Sequence, residues 1–436
     1  MMSGKLQSKT LVVRQARRLS GTVQAPPSKS YTHRAIIIGS LDGSHRVMNP
    51  LFCDDTRNTI ALFRKLGARI ERNGKNLVVR GFAGRPELRG RGVNVGESGT
   101  LLRLALSILP LANGNIAVKG EGSLRGRPNR QVVDVLQNWG VVMKGRGRDA
   151  KLPILIEANG LIPGGKAVVE GGVTSQVISS LLIAAPFAEA DTVLEVGGKL
   201  VSRPYVDITI DVLKWAGIRV ERSGYRRFCV RHGQKLRPKN NFTVHGDYSS
   251  AAFLLAAAAL TESDVTVTDL VNDCQGDRKS LGILRAMGAK VERTNDAVRL
   301  MGPFKLVGID IDGADTPDLV PILSVLGCFA KGTTRIRNVA HLVHKESNRL
   351  TRPAAELRKL GARISFTRDE LVIKHARLHS GSVSASNDHR IAMALAVAGC
   401  AIDGGVTIRG AECISKSYPG FVSDMRKLGA RIGVSR

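Results

Sequence analysis

Aromatic residues are scarce in this chain. Phe, Tyr and Trp make up 4% of its 436 residues, so the interior must be built from aliphatic side chains. The same scarcity leaves few stacking platforms for the bases of a single-stranded nucleic acid. Acidic residues are also few, because 37 Asp and Glu stand against 65 Lys and Arg, a formal net charge of +28. The basic residues are dispersed and form no tail, which favours an enzyme for small anions. A nucleic-acid-binding module remains the alternative from another class.

Closely spaced cysteine pairs are missing as well. The six cysteines are separated irregularly and none forms a CxxC pair: Cys53, Cys229, Cys274, Cys328, Cys400 and Cys413. We therefore expect reduced, mostly buried thiols rather than disulfides or zinc ligands. His341 and His344 are close in sequence, but the surrounding positions lack the pattern of a third ligand. No metal and no other cofactor is predicted.

Long apolar runs are absent too. The longest apolar stretch, residues 251–260, is too short to cross a bilayer, and the opening MMSGKLQSK lacks the apolar region of a secretory signal. These features predict a cytoplasmic protein without a membrane partner. The length of 436 residues favours two domains over one.

One short string recurs along the chain. KLGARI occurs at residues 65–70, 359–364 and 427–432, and related strings occur at 138–143, 215–220 and 286–291. The glycine of each string follows the previous one by about 70 residues, a period too long for a solenoid repeat and suited to six small subdomains. Each string predicts a helix that ends at a left-handed glycine and is followed at once by a strand.

A second series of segments alternates with the first. Each is a polar turn that opens a very apolar helix, and the six begin at Pro27, Gly96, Gly171, His245, Gly313 and Ala385. Ser, Thr and Asp at these starts are predicted N-caps, and helices that are apolar on nearly all sides are predicted to be buried. Each subdomain therefore reads as strand, buried helix, strand, outer helix, strand, strand.

The starts of the buried helices also carry basic residues. Helix N-termini favour anions and repel cations. Lys29, Arg34, Arg103 and Arg390 nevertheless lie at or near such starts. This pattern predicts that the cations are there for phosphate or carboxylate ligands.

Ten motifs in order make the chain similar to a known family. They are PPSKSYTHRA, GESGTLLR, GRPNRQVVDVL, VTSQVISSLL, VSRPYVDIT, HGDYSSAAF, TPD, HKESNR, SNDHRIAMA and SKSYP. From about residue 21 to residue 421 the chain resembles the 3-phosphoshikimate 1-carboxyvinyltransferases, or EPSP synthases. The resemblance implies an α/β fold of two similar lobes, each of three repeated βαβαββ-type subdomains, in the inside-out α/β barrel of enolpyruvyl transferases. One lobe would comprise residues 1–26 and 244–436, and the other residues 27–243.

The resemblance also implies an activity. Members of this family transfer the enolpyruvyl group of phosphoenolpyruvate to the 5-hydroxyl of shikimate 3-phosphate by addition and elimination, without a cofactor. The expected role is in chorismate and aromatic amino acid biosynthesis, as a monomer, a glyphosate target and not a nucleic-acid binder. Within the same fold, the UDP-N-acetylglucosamine enolpyruvyl transferases are the alternative. They carry Lys-Asn near the start and a mobile-loop Cys, whereas here Lys29 precedes Ser30 and no cysteine lies in a matching loop.

The site residues follow from the matching motif positions. Those implied for shikimate 3-phosphate are Lys29, Ser30, Arg34, Thr174, Ser175, Gln176, Ser202, Asp318 and Lys345. Those implied for phosphoenolpyruvate are Lys29, Gly99, Arg127, Gln176, Arg349, Arg390 and Lys416, with Arg103 nearby. The implied catalytic residues are Lys29 near the reacting oxygen, Asp318 as the base and Glu346 as proton donor and acceptor at the methylene carbon. From the residues alone, Glu346 could equally form a surface ion pair with Lys345.

Four positions depart from the family pattern. Thr174 stands where Ser is usual, His341 where some members have Asn, Asn348 where many have Asp, and Glu97 where others have Asn. Thr174 keeps the hydroxyl, so the phosphate contact is still expected. Because His341 replaces the Asn of some members, the resemblance does not imply a contact from this position to the shikimate phosphate.

Overall fold

The computed structural model describes residues 9–90, 92–239 and 241–435. The opening segment that argues against a secretory signal therefore lies outside the described residues, except for Lys9. The chain divides into two compact units. The first unit comprises the N-terminal segment up to Pro26, His245–Asp273 and the chain from Asp277 onward, and the second comprises Pro27–Val244 and Cys274–Gly276.

Twelve α-helices occur in the described parts of the chain. They are α1 (Lys29–Leu41), α2 (Asp54–Lys65), α3 (Gly99–Leu106), α4 (Arg130–Asn138), α5 (Gln176–Ala184), α6 (Pro204–Trp215), α7 (Tyr248–Leu260), α8 (Lys279–Ala286), α9 (Val320–Phe329), α10 (Thr351–Arg358), α11 (His389–Ala401) and α12 (Phe421–Lys427).

Twenty-four β-strands accompany them in the same described ranges. They are β1 (Thr10–Arg14), β2 (Leu19–Gln24), β3 (Ser44–Met48), β4 (Arg69–Asn73), β5 (Asn76–Arg80), β6 (Gly92–Asn94), β7 (Asn113–Lys119), β8 (Val142–Arg146), β9 (Lys151–Asn159), β10 (Gly165–Glu170), β11 (Thr192–Gly197), β12 (Glu221–Ser223), β13 (Arg227–Val230), β14 (Asn241–Thr243), β15 (Ser263–Thr268), β16 (Glu292–Arg293), β17 (Val298–Leu300), β18 (Asp310–Asp312), β19 (Thr333–Arg337), β20 (Arg363–Phe366), β21 (Glu370–Lys374), β22 (Gly381–Ser384), β23 (Val406–Arg409) and β24 (Arg431–Ser435).

The strands form six four-stranded sheets. Their orders are β22-β23-β1-β24, β16-β17-β15-β2 and β18-β19-β21-β20 in the first unit, and β14-β3-β5-β4, β6-β7-β9-β8 and β10-β11-β13-β12 in the second. In every sheet one parallel pair, such as β10 with β11, continues into antiparallel pairs, such as β11 with β13. The predicted α/β class of repeated βαβαββ-type subdomains is confirmed.

The recurring glycines end helices as predicted. Each adopts positive φ, between +84° and +103°: Gly67, Gly140, Gly217, Gly288, Gly361 and Gly429. Only glycine enters this left-handed region without a steric cost, which explains why the string keeps it at this place. The helix that precedes Gly67 begins at Asp54, where a capping box joins Cys53 and Thr56.

The six apolar helices are buried, also as predicted. In the first unit α11 packs against α7 and α9, and in the second α5 packs against α3 and α6. The N-cap prediction is confirmed at Ser98, Asp247 and Asp388, whose side chains accept a hydrogen bond from a backbone N–H of the first turn. It is wrong as a general rule, because Ser28 and Ser175 cap α1 and α5 without accepting such a bond.

Two strands pair in an order that the sequence does not show. β2 immediately precedes α1 along the chain, yet it pairs in parallel with β15 of the first unit. β3 does not pair with β2, the strand before it in the sequence. Its parallel neighbour is β14, which lies about 190 residues further along the chain and belongs to the second unit. Among the described residues, none of the helices combines the length and the apolar character needed to span a bilayer.

Candidate active site

Lys29 is the first residue of α1 in the second unit. Its Nζ lies 2.9 Å from Oδ2 of Asp55, and the two side chains are 14% and 12% exposed. Asp55 lies in the first turn of α2, where a carboxylate is favoured by the helix dipole. The largely buried ion pair restricts the lysine side chain and places its ammonium group at the start of α1.

Arg34 lies inside the second unit and is 1% exposed. Its guanidinium donates to the Thr209 hydroxyl at 2.7 Å, and to the carbonyl oxygens of Ser30 at 3.0 Å and Tyr205 at 3.1 Å. Burial lowers its pKa to about 10. These bonds connect α1 to α6, so Arg34 supports the Ser30 backbone from within.

Thr174, Ser175 and Gln176 form the start of α5. The backbone N–H of Gln176 donates to the Thr174 hydroxyl at 3.2 Å, and Ser175 is 1% exposed. Ser202, in the loop before α6, has φ +55°, a conformation that is unfavourable for a residue with a side chain. Strain of this kind is kept where the surroundings enforce it, often at binding sites.

Gln176 also connects α5 to α3. Its side-chain oxygen accepts from Arg103 Nη1 at 2.8 Å, and its side-chain nitrogen donates to the Thr100 hydroxyl at 3.1 Å. Gly99, the first residue of α3, allows two arginines to come close. A Cβ there would lie 2.8 Å from Arg127 Nη1 and 3.2 Å from Arg103 Nη1. These contacts place four of the predicted residues in one neighbourhood of the second unit.

Arg349 is the centre of a charge network in the first unit. It is 1% exposed, and three carboxylates accept from its guanidinium. The distances are 2.8 Å from Nε to Asp388 Oδ2, 2.8 Å from Nη2 to Glu346 Oε2 and 2.5 Å from Nη1 to Asp318 Oδ1. Charge-assisted hydrogen bonds are stronger than hydrogen bonds between neutral groups, so the three carboxylates are held in a defined arrangement.

Asp318 is shared between two arginines. Its second oxygen, Oδ2, accepts from Arg390 Nη2 at 3.2 Å. Burial acts to raise the pKa of Asp318, but the charges of Arg390 and Arg349 outweigh it and hold that pKa well below its usual range. In this arrangement the carboxylate is ionised and is a weak proton acceptor.

Glu346 is 23% exposed and lies on the loop before α10. Its 2.8 Å bond to Arg349 connects it to the buried network. The interpretation of Glu346 as only a surface ion pair is therefore wrong.

Lys416, Lys345 and His341 lie around the same network. Lys416 Nζ donates to the backbone and side-chain oxygens of Asn387, at 3.2 and 3.1 Å. Asn387 has φ +56° and is close to the start of α11. The charge of Lys345 helps to lower the pKa of Asp318. Burial, followed by the charge of Lys345, lowers the pKa of His341 to about 3, so this imidazole is neutral.

Three of the cations predicted at or near helix starts have protein acceptors, although Arg103 lies in the last turn of the short helix α3. Lys29 is bonded to Asp55, Arg103 to Gln176 and Arg390 to Asp318. These acceptors come from other elements of the fold, so the cations are stabilised within the protein itself. That they bind phosphate or carboxylate ligands stays a prediction. Asp55 and Asp388 are site residues that the sequence reasoning missed. The available signal was an acidic residue in the first turn or at the cap of a helix.

All six cysteines are free thiols, and Cys274 is the exposed one. Within the described ranges, no group of three or more His, Cys, Asp or Glu side chains has an arrangement that could hold a metal ion.

The chain is similar to a known family over most of its length. The model of the EPSP synthase (3-phosphoshikimate 1-carboxyvinyltransferase) family matches residues 13–425. The chain belongs to the EPSP synthase family. A 3-phosphoshikimate 1-carboxyvinyltransferase of Methanocella arvoryzae is 43% identical over 95% of this chain and 97% of its own. The protein of the same name from Methanocaldococcus jannaschii is 39% identical over 97% and 99%.

Solved structures give the same family. An EPSP synthase from Acinetobacter baumannii superposes with a TM-score of 0.83 at 26% identity, covering 99% of this chain and 100% of that one. The enolpyruvyl transferase NikO from Streptomyces tendae has a TM-score of 0.77 at 20% identity, over 98% and 99%. This second likeness concerns the fold alone. The family predicted from the ten motifs is confirmed.

Proposed function

We propose that this protein is a 3-phosphoshikimate 1-carboxyvinyltransferase. It transfers the enolpyruvyl group of phosphoenolpyruvate to the 5-hydroxyl of shikimate 3-phosphate, which gives 5-enolpyruvylshikimate 3-phosphate and phosphate. The observation that carries this proposal is the family match over residues 13–425, a range that contains every candidate site residue. The place of the reaction is chorismate and aromatic amino acid biosynthesis.

The reaction needs only proton transfers and electrostatic stabilisation, so no cofactor takes part. In the addition step, Asp318 accepts the proton of the 5-hydroxyl while the oxygen bonds to C2 of phosphoenolpyruvate. Glu346 gives a proton to C3, and a tetrahedral intermediate results. In the elimination step, the bond from C2 to the phosphate oxygen breaks, Glu346 takes a proton back from C3, and the departing phosphate takes the proton that Asp318 accepted. Lys29 stabilises negative charge at the reacting oxygens.

The contacts of Arg349 support this division of roles. Its guanidinium holds both Asp318 and Glu346. An anionic substrate that binds Arg349 and Arg390 competes with these carboxylates for the same donors. As the arginines turn to the substrate, the pKa of Asp318 rises toward its usual range and the carboxylate becomes an effective base. Phosphoenolpyruvate, with a carboxylate and a phosphate, is suited to this exchange.

The remaining candidates divide by substrate. Ser30, Thr174, Ser175, Gln176, Ser202, Lys345 and the bracing Arg34 serve shikimate 3-phosphate, while Gly99, Arg127, Gln176 and Lys416 serve phosphoenolpyruvate. The hydroxyl groups of Thr174 and Ser175 at the N-terminus of α5, where the Ser175 side chain makes no capping bond, support the phosphate assignment. We also propose that the functional domains are residues 1–26 with 244–436, and residues 27–243. The protein would act as a cytoplasmic monomer.

A phosphate-release assay tests the proposal. The purified protein should release phosphate and form one enolpyruvyl product, identified by mass spectrometry, when both substrates are present. Omission of shikimate 3-phosphate should abolish release, and so should Asp318→Asn. Replacement of shikimate 3-phosphate by UDP-N-acetylglucosamine should give no product. Turnover with the nucleotide sugar alone would refute the proposal in favour of the other branch of the fold.

A further inference from the structure

Asp277 is a buried carboxyl group with no role so far. It lies in the short turn Gly276–Arg278 that precedes α8, and it is 3% exposed. Its Oδ2 accepts a hydrogen bond from the Ser249 hydroxyl in the first turn of α7. Its other oxygen, Oδ1, is buried without a hydrogen-bond partner among the described residues. A buried acceptor left in this way is rare and calls for an explanation.

Arg390 presents the complementary feature. It is 2% exposed, and its Nη2 donates to Asp318. Its Nε and Nη1 are buried and have no acceptor within the part of the chain that the structure describes. Arg390 acts electrostatically on Asp277. A buried cation with unused donors and a buried carboxyl with an unused acceptor therefore lie within each other's field.

The charged groups around Asp277 come from three elements. They are Asp247 at the start of α7, Asp318 before α9 and Arg390 on α11. Burial, followed by the negative charge of Asp318, raises the pKa of Asp277 to about 7, while the Ser249 hydrogen bond and Arg390 act in the opposite direction. The neutral acid therefore predominates below neutral pH and the carboxylate above it.

We propose that Asp277 is a positioning residue that controls Arg390, an assignment that rests on the proposed function. When Asp277 is neutral, the Arg390 guanidinium stays hydrogen-bonded to Asp318. From there it can bind the anionic enolpyruvyl donor. Ionised Asp277 attracts the guanidinium and competes with both of them. The charge of the guanidinium acts on both carboxyl groups. Protonated Asp277 is thus the active form.

If so, the pH profile of kcat/KM for phosphoenolpyruvate should have an alkaline limb. The kcat/KM for phosphoenolpyruvate, at saturating shikimate 3-phosphate, should fall above neutral pH by up to about tenfold per pH unit. The KM for shikimate 3-phosphate should change little over the same range. A purely structural role for Asp277 would instead reduce activity by a similar factor at every pH.

Two variants and a control test this. Asp277→Asn cannot ionise, so its profile should lack the alkaline limb. Ser249→Ala removes a hydrogen bond that favours the carboxylate, so its limb should move to higher pH. Ser324→Ala, which removes a buried hydroxyl bonded only to a carbonyl oxygen of α9, should keep the wild-type limb. The same limb in all four proteins would overturn the proposal. Since Ser249→Ala gives its own directional result, the test does not depend on the folding of Asp277→Asn.

A measurement without turnover separates this inference from the proposed function. In protein labelled with ¹⁵N-arginine, the Nε resonance of Arg390, assigned with Arg390→Lys, should titrate with a midpoint near that of the kinetic limb. The titration should disappear in Asp277→Asn. A resonance that is constant from pH 6 to 9, or that titrates equally in Asp277→Asn, would refute the control of Arg390. Absence of turnover in the wild-type protein would refute the proposed function. The titration of the Arg390 resonance would still test whether Asp277 controls Arg390.

Discussion

Replacement of Arg349 by Met would remove the cation that three carboxylates share. Arg349 is 1% exposed and Asp388 is 0% exposed, so the change leaves a buried carboxylate without its guanidinium partner. Breaking a buried pair in this way costs about 3–5 kcal/mol. For a folding unit of roughly 200 residues, each kcal/mol lowers Tm by about 2–4 °C, so we expect a decrease of about 10 °C.

The size of the loss should depend on pH. Arg390 and Arg349 hold the pKa of Asp318 below its usual range, so this carboxylate stabilises the fold above about pH 4, its pKa in the unfolded chain. The stabilisation is lost as pH falls toward the folded pKa. The difference in Tm between wild type and Arg349→Met should therefore be complete at pH 7 and smaller below about pH 4.

The assay is thermal unfolding followed by circular dichroism, with a matched control. Arg335→Met removes an arginine of the same unit that is 42% exposed and 3.9 Å from Asp310. Exposed pairs of this kind contribute at most about 1 kcal/mol. Equal Tm values for Arg349→Met and Arg335→Met at pH 7 would refute the reasoning, because they would show that the network does not stabilise the unit. Catalytic turnover should be lost only in Arg349→Met.

Three further changes test individual contacts. Glu346→Gln keeps the shape but removes the titrating group, so kcat should fall by about 10²–10⁴-fold while calorimetry shows unchanged shikimate 3-phosphate binding; a binding loss with kcat retained would contradict the proton-transfer role. Gly99→Ala places a Cβ 2.8 Å from Arg127 Nη1, so the KM for phosphoenolpyruvate should rise while that for shikimate 3-phosphate stays within about twofold; unchanged KM values would show that Arg127 is not constrained there. Asp277→Asn should have a higher Tm than wild type at pH 8 and a similar one at pH 4, because a raised carboxyl pKa means that stability is lost as pH rises from about 4 to about 7; an equal Tm at pH 8 would argue against burial of the charge.

Features with a local physical cause were predictable from the sequence. A helix that ends at a left-handed glycine needs only neighbouring residues, and all six recurring glycines have positive φ. Helices that are apolar all round have nowhere to lie except in a core, and the six apolar segments are buried. The ten ordered motifs identified the family, because a long ordered set of motifs is far more specific than any one of them.

The tertiary structure decided which distant residues meet. The pairing of β2 with β15 and of β14 with β3 depends on long-range packing, and no periodicity encodes it. The same holds for Asp55 on Lys29, for the carboxylates around Arg349 and for the burial of Arg34, because each contact joins separate elements. The sequence determined the chemical types at the helix starts. Only the folded chain determined which charges neutralise one another, since Coulomb interactions depend on distance in space and on burial rather than on separation along the chain.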